Sequence, residues 1–252
     1  MLQQALDMRE EGDALFDFIG NQEASAWKRP TPFHDWTIWD IIAHLHFFDR
    51  MALQSLTSET DFKQAADELV TALLQGEELS SIARQKLATH GPTDLLEIWH
   101  QGYIEMCDRL SRADPLLRLK WFGPDMGVKM FTTARQMETW AHGQAIYDLL
   151  GVKRRNSDRI KNVAVIGIKT FGWTFINRGL VPPAEAPQVK LTAPSGELWQ
   201  WNEGNQDDRV EGTAEDFCLV VTQCRNRADT GLRITGEVAD RWMSIAQCFA
   251  GG

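Results

Sequence analysis

The sequence predicts a mainly α-helical protein that ends in a small α+β domain. Two observations carry this prediction. Apolar residues recur at helical spacing over most of the first 180 residues, and short β-type runs joined by turn residues appear only after Gly179. The proline-rich stretch at 181–187 separates the two patterns and is typical of a linker. We therefore predict a helical bundle at 1–180 and a small α+β domain at 181–252.

The first helices follow from amphipathic patterns and from residues that begin or end a helix. Residues 2–20 carry an apolar stripe with acids on the intervening face. After two prolines, Thr37 is a good N-cap for a helix that is apolar nearly all round, which predicts a central position in the bundle. The next predicted helices cover 61–89, with a break at Gly76, and 95–110, capped by Thr93.

Beyond residue 120 the pattern changes from loop to helix and then to mixed structure. The segment 121–127 has the glycine and proline density of an ordered loop, and its aromatic residues Trp121 and Phe122 are candidates for a pocket rim. The remaining predicted elements are a helix from Thr132 or Thr133 to Leu150, ended by Gly151, a helix at 158–177, a β-hairpin at 189–201, helices at 214–224 and 237–249, and a strand near 232–235.

Charge and composition argue against several classes of protein. The formal net charge is −9 and the basic residues form no stripe, which argues against nucleic-acid binding. No run approaches about 18 apolar residues, and the N-terminus lacks the pattern of a signal peptide, so we predict a cytoplasmic, non-membrane protein. The four cysteines are too dispersed for a thiolate zinc site or a disulfide framework. A small-molecule partner is expected, and a homo-oligomer is compatible with the sequence.

A metal-ligating pattern lies in two of the predicted helices. Glu138 and His142 are spaced i, i+4, so on a helix they share one face, with Cβ atoms about 6 Å apart. Such pairs are common, and alone they indicate only a carboxylate near a histidine. His44 adds weight, because an imidazole in the middle of an apolar helix needs a partner. Two histidines and a carboxylate form the ligand set of open catalytic zinc sites. We therefore predict that these three residues bind one divalent metal ion and leave part of its coordination sphere open.

The residues around this pattern have weaker assignments. Asp40, one turn before His44, is predicted to accept the second N–H of that imidazole, and an ordinary first-turn acid is the equally weighted alternative. His46 is the rival ligand, although it points about 200° away from His44 on a helical wheel. The other histidines have expected roles outside the metal set: His34 in a loop that could line the entrance, His90 in a turn, and His100 on a helix with no matched partner.

Two stretches of the sequence resemble a known family. Asp35-Trp36-Thr37-Ile38-Trp39-Asp40-Ile41-Ile42-Ala43-His44-Leu45 and Glu138-Thr139-Trp140-Ala141-His142-Gly143-Gln144 are similar to the metal-binding domain of the mycothiol-dependent maleylpyruvate isomerases, within the DinB-like four-helix-bundle superfamily. The resemblance implies that His44, Glu138 and His142 bind a divalent metal, usually zinc, whose other positions hold water or a low-molecular-weight thiol. The C-terminal domain is similar to that family's appended domain, from which the isomerases use an arginine. Arg225 is the candidate, with Arg227 two places away.

The leading hypothesis is therefore a thiol-dependent metalloenzyme, either an isomerase or a thiol transferase, in which the metal lowers a thiol pKa of about 8.5 to give thiolate. The resemblance implies zinc and a thiol such as mycothiol, while nickel, iron and manganese accept the same ligands. The alternative is a non-catalytic, metal-dependent ligand-binding or stress-response module. A third hypothesis, a metal-free bundle, requires that His44 does not face Glu138 and His142.

Overall fold

The computed structural model describes residues 2–249 and divides the chain into two units, Met1–Lys153 and Arg154–Gly252. The first is helical apart from a two-stranded ribbon, and the second combines helices with a four-stranded sheet. This division differs from the predicted boundary between 180 and 181. It falls earlier because two helices that follow Arg154 pack with the C-terminal helices.

A four-helix bundle forms the first unit, which confirms the predicted fold class. Its elements are α1 (Gln3–Gly20), α2 (Ile38–Thr57), α3 (Glu59–Leu74), α4 (Leu79–Leu87), α5 (Pro92–Arg112), β1 (Arg118–Leu119), β2 (Met126–Gly127) and α6 (Val128–Leu150). The bundle helices are α1, α2, α5 and α6. Both α5 and α6 pack against α1 and α2, while α3 and α4 cover α2. None of the helices described at residues 2–249 is long and apolar enough to cross a membrane.

The ends of the bundle helices show which capping predictions were correct. Thr37 caps α2 as predicted, and Gly151 ends α6 with a φ of 66°. However, α5 begins at Pro92 rather than after Thr93, because proline suits the first helical position. The predicted caps Thr132 and Thr133 lie inside α6, which begins at Val128. Their hydroxyls donate to the carbonyls of Val128 and Lys129, four residues earlier, so neither side chain serves as a cap.

The second unit contains α7 (Lys161–Lys169), α8 (Phe171–Ile176), β3 (Gln188–Thr192), β4 (Leu198–Trp201), β5 (Arg209–Thr213), α9 (Ala214–Val221), β6 (Arg233–Thr235) and α10 (Glu237–Ile245). The sheet order is β4-β3-β5-β6. Strands β3 and β4 form the predicted antiparallel hairpin. Strand β5, which the sequence analysis missed, pairs in parallel with β3. The single helix predicted at 158–177 is divided at Thr170, and the helices predicted to reach 224 and 249 end at Val221 and Ile245.

Candidate metal centre

Helices α2 and α6 bring the three predicted ligands together. Nε2 of His142 lies 3.3 Å from Oε2 of Glu138, and Nε2 of His44 lies 3.8 Å from the same oxygen. The two imidazole centroids are 4.4 Å apart. One ligand atom from each of the three residues lies within 4.8 Å of the other two. His44 therefore faces Glu138 and His142. The metal-free hypothesis required the opposite arrangement.

These distances fit the requirements of a small divalent cation. Zinc lies about 2.1 Å from nitrogen and oxygen ligands, so neighbouring ligand atoms of a tetrahedral site are about 3.4 Å apart. The two distances to the Glu138 oxygen are close to this value. Within residues 2–249, no other group of three or more His, Cys, Asp or Glu side chains converges in this way. The donor set, two imidazoles and one carboxylate, suits zinc and several other divalent metals.

Burial and charge set the protonation states of the ligands. His44 is buried, and burial, followed by the nearby His142, lowers its pKa from 6.5 to about 4, so its imidazole is neutral at neutral pH. Burial alone raises the pKa of Glu138. The neighbouring imidazoles and the charge of Arg135 outweigh that effect and hold its pKa well below the ordinary value. A neutral imidazole and an ionised carboxylate are the forms in which these side chains bind metals.

Aromatic rings surround the two imidazoles. The ring of Phe48 lies 4.8 Å from that of His44, and the ring of Trp36 lies 5.2 Å from it, measured between centroids. Phe33 packs its edge on His142 at 4.9 Å, and Trp36 lies parallel to His142 at 6.2 Å. The sequence analysis did not assign these three residues to the site. Their signal was the density of aromatic residues on both sides of His44.

The loop before α2 presents two of these rings. It contains His34 and Asp35, consecutive non-glycine residues with φ values of 49° and 58°. Each residue held in this region costs about 1–3 kcal/mol, so the surrounding structure must impose the conformation. The two flanking residues, Phe33 and Trp36, are the ones that pack on the imidazoles. The His34 ring, predicted to line the entrance, is exposed and lies against Phe33.

The predicted rim residues Trp121 and Phe122 lie in the loop between β1 and β2. The centroids of their rings are 6.3 Å and 5.7 Å from that of Phe48. Phe48 in turn packs on His44, so it links both residues to the candidate ligands. Trp121 stacks on Phe62 and faces the guanidinium of Arg135 at 5.6 Å. Phe122 is more exposed. A role for both residues at a pocket rim remains a prediction.

Asp40 does not make the predicted hydrogen bond to His44. Its Oδ2 accepts from the backbone N–H and the hydroxyl of Thr37, completing a capping box at the start of α2. Arg84 donates to both carboxylate oxygens, at 2.6 and 2.8 Å. Nδ1 of His44 is buried and has no hydrogen-bond partner among the described residues. The carboxylate of Asp40 is thus held by the helix terminus, and aromatic packing orients the imidazole.

Two further histidines lie outside the metal cluster. His46 is half-buried on α2, and burial, followed by the charges of Arg50 and His90, lowers its pKa to about 4. His100 was predicted to have no partner, and this was wrong. Its Nε2 lies 2.6 Å from Oδ1 of Asp13, and its ring stacks on Phe16 of α1.

The two candidate arginines lie in the second unit, just after α9. Arg225 donates from Nη1 to the carbonyl of Cys224 at 2.7 Å, and Arg227 donates to the carboxylate and the carbonyl of Asp240. The described contact of Arg225 is therefore with the carbonyl of the preceding residue, and that of Arg227 is with a residue of α10. A role for Arg225 toward a substrate remains a prediction.

Comparisons with known proteins agree with these observations. A family model described as the mycothiol maleylpyruvate isomerase N-terminal domain matches residues 8–147, a range that includes all three candidate ligands. Two uncharacterized proteins from strains of Mycobacterium tuberculosis are 39% identical over 245 residues, covering 97% of this chain and 94% of theirs.

Two crystal structures have a similar fold. The structure of the mycothiol-dependent maleylpyruvate isomerase has a TM-score of 0.58 at 12% identity, and that of a histidine-to-alanine mutant of the same enzyme has a TM-score of 0.59 at 13% identity. Each comparison covers 97% of this chain and 95% of the other. At such low identity the likeness establishes the fold.

Proposed function

The chain belongs to the mycothiol maleylpyruvate isomerase N-terminal domain family, and from this membership we propose that it is a thiol-dependent metalloenzyme, either an isomerase or a thiol transferase. His44, Glu138 and His142 would hold one divalent metal ion, with zinc the first choice and nickel the second. The observation that carries the proposal is the approach of both imidazoles to one oxygen of Glu138.

The number of protein ligands supports a catalytic site over a structural one. Structural zinc sites have four protein ligands, whereas catalytic sites have three and keep one position for water or substrate. The described residues supply three. Bound at these ligands, a divalent metal supplies the positive charge that lowers the pKa of a thiol.

The surrounding residues prepare the site for such chemistry. Glu138 is held ionised and His44 neutral, so both are ready to act as ligands without first losing a proton. Phe33, Trp36 and Phe48 pack on the two imidazoles, and beside such apolar surfaces charges interact more strongly than in open solvent. These rings also present apolar surface to a small organic ligand.

The proposed reactants are a low-molecular-weight thiol, such as mycothiol, and a small electrophilic substrate. Double-bond isomerisation and thiol transfer both begin from a thiolate nucleophile, so the same site serves either reaction. Arg225 is the proposed contact for an anionic substrate, on the basis of the family resemblance. A cytoplasmic location belongs to the same proposal, because reduced thiols persist there.

Metal analysis tests this proposal. We expect protein purified without chelator to contain about one equivalent of zinc or nickel by plasma mass spectrometry. His44→Ala and His142→Ala should contain almost none. His100→Ala is the matched control, because this histidine contacts Asp13 and Phe16 instead of the metal cluster, and it should retain the metal. Absence of metal from the unmodified protein would contradict the proposal.

A second measurement separates the enzyme from a non-catalytic metal-binding module. Cobalt-substituted protein should change its visible absorption when mycothiol is added, because a thiol entering an open coordination position alters the ligand field. An unchanged spectrum, together with a large loss of stability on chelation, would favour the module.

A further inference from the structure

A buried ion pair lies about one turn from the ligands at the same helix interface. Asp49 is on α2, five residues after His44, and Arg135 is on α6, three residues before Glu138. Nε and Nη2 of Arg135 donate to Oδ1 of Asp49, at 3.0 and 2.8 Å. The two side chains are only 4% and 2% exposed. The pair therefore joins the two helices that carry the candidate ligands.

Each end of the pair has a further partner. Oδ2 of Asp49 accepts a hydrogen bond from the indole N–H of Trp99, at 3.0 Å, which adds α5 to the network. The guanidinium of Arg135 faces the ring of Trp121 at 5.6 Å, in the loop between β1 and β2. Three helices and the aromatic loop thus meet at one buried charge pair.

Energetics indicate that this pair serves more than stability. Removing two charges from water costs several kcal/mol per ion, and apolar residues of similar volume are often as stabilising or more so. A guanidinium that binds a carboxylate through two N–H groups fixes orientation as well as distance. Metal ligands need this control, because metal–ligand distances tolerate deviations of only about 0.2 Å.

We propose that Arg135 and Asp49 are positioning residues that hold α2 and α6 in the register at which His44 shares one metal ion with Glu138 and His142. The inference rests on the proposed metal binding. It gives a function to a buried pair whose described side-chain hydrogen bonds are with each other and with Trp99.

The charges of the pair make the proposal easy to separate from a simple electrostatic effect. Arg135 repels a cation at the centre but also lowers the pKa of Glu138, so the loss of its charge alone would act on metal binding in two opposite directions. The positioning role is therefore tested with substitutions that leave the local net charge unchanged. Replacing both residues by neutral ones removes one positive and one negative charge, so the net charge stays constant and geometry alone is tested.

The experiment measures the zinc dissociation constant of the full chain by competition with a chromophoric chelator, and the visible spectrum of cobalt-substituted protein. In Arg135→Met/Asp49→Asn the amide oxygen still accepts from Trp99. We expect about 10- to 100-fold weaker zinc binding and a shifted cobalt spectrum, the usual effect of losing a group that orients ligands. Arg135→Lys keeps the charge but loses the forked donor, and should weaken zinc binding in the same direction.

Arg84→Met is the matched control. It removes another two-point arginine–aspartate pair of α2, but that pair joins α2 to α4 and does not involve α6. Its zinc affinity and cobalt spectrum should equal those of the unmodified protein.

The outcomes are distinct. A double variant with unchanged zinc affinity and cobalt spectrum, but a lower midpoint of urea unfolding, would show that the pair is merely structural and overturn the inference. If circular dichroism shows that the double variant is unfolded, Arg135→Lys decides by the same two readouts. If the unmodified protein binds neither zinc nor cobalt, the proposed function fails and the inference falls with it. If the unmodified protein binds zinc and the Arg135 and Asp49 variants bind it equally well, the inference fails and the proposed metal binding stands.

Discussion

Two helix interfaces of the same bundle are built on different principles. Between α1 and α5, Gly12 lies directly beneath the ring of Tyr103, whose hydroxyl donates to the carbonyl of Met8. The buried residues around them are mainly apolar. Between α2 and α6, buried or half-buried polar groups converge instead: His44, Asp49, Arg135, Glu138 and His142. Close apolar packing stabilises a bundle, whereas buried polar groups oppose stability unless something binds them. The contrast supports the proposal that α2–α6 is the functional interface.

The first prediction is that metal stabilises this interface. At a zinc concentration 100 times the dissociation constant, the free energy of unfolding should rise by about 2.7 kcal/mol, because the ion binds only the folded chain. Urea unfolding with zinc and with chelator measures the difference. His142→Ala should show almost none, since it lacks one ligand. An equal rise in that variant would show that zinc binds elsewhere, and the contrast between the α1–α5 and α2–α6 interfaces would then have no functional meaning.

A second prediction concerns the tight interface. A Cβ at Gly12 would lie 2.2 Å from Cε1 of Tyr103, so Gly12→Ala should lower the free energy of unfolding by about 1–3 kcal/mol. Gly102→Ala is the control, because its Cβ would meet nothing within 4 Å. It should stabilise α5 by up to about 1 kcal/mol. Urea unfolding of the two metal-free variants measures both free energies of unfolding. Equal values for Gly12→Ala and Gly102→Ala would show that the packing at Gly12 is loose and contradict the prediction.

The smallest effect separates helix capping from metal binding. Thr37→Ala removes the hydroxyl that accepts from the N–H of Asp40, and should lower the free energy of unfolding by about 1 kcal/mol. The zinc dissociation constant should not change, because the Asp40 carboxylate makes no hydrogen bond to Nδ1 of His44. Weaker zinc binding, measured by chelator competition, would indicate that the cap helps to orient the imidazole after all.

Local rules predicted the relation between Glu138 and His142, since helical geometry alone puts i and i+4 on one face. They also singled out His44, because an imidazole in an apolar helix needs a partner. They failed at Asp40, where two rules competed for one carboxylate and the capping box prevailed. The pair of Asp49 and Arg135 was not predicted at all. Its members lie far apart in sequence, and only tertiary structure brings them together.

The second unit shows the same limit. Strand β5 was missed for two reasons. Its five residues include only one fully buried position, Val210, so the alternating pattern of a strand is weak. It also pairs in parallel with β3, and parallel strands are not joined by a tight turn that the sequence would reveal. The prolines at 181–187 suggested a boundary that the structure places earlier. Helix α7 packs with α9, and α8 packs with α10, so their partners lie beyond the linker-like stretch.

The order of the three proposed ligands along the chain has a consequence for how the site arises. His44 lies in α2, whereas Glu138 and His142 lie in α6, with α3, α4 and α5 between them. A chain emerging from the ribosome therefore carries His44 without Glu138 and His142 until the last bundle helix has been made. Contacts between such distant segments require loop closure, which is slow and entropically costly. On the proposed assignment, an ion has no complete site to enter before the bundle has closed, and its capture would report that folding of this unit is finished.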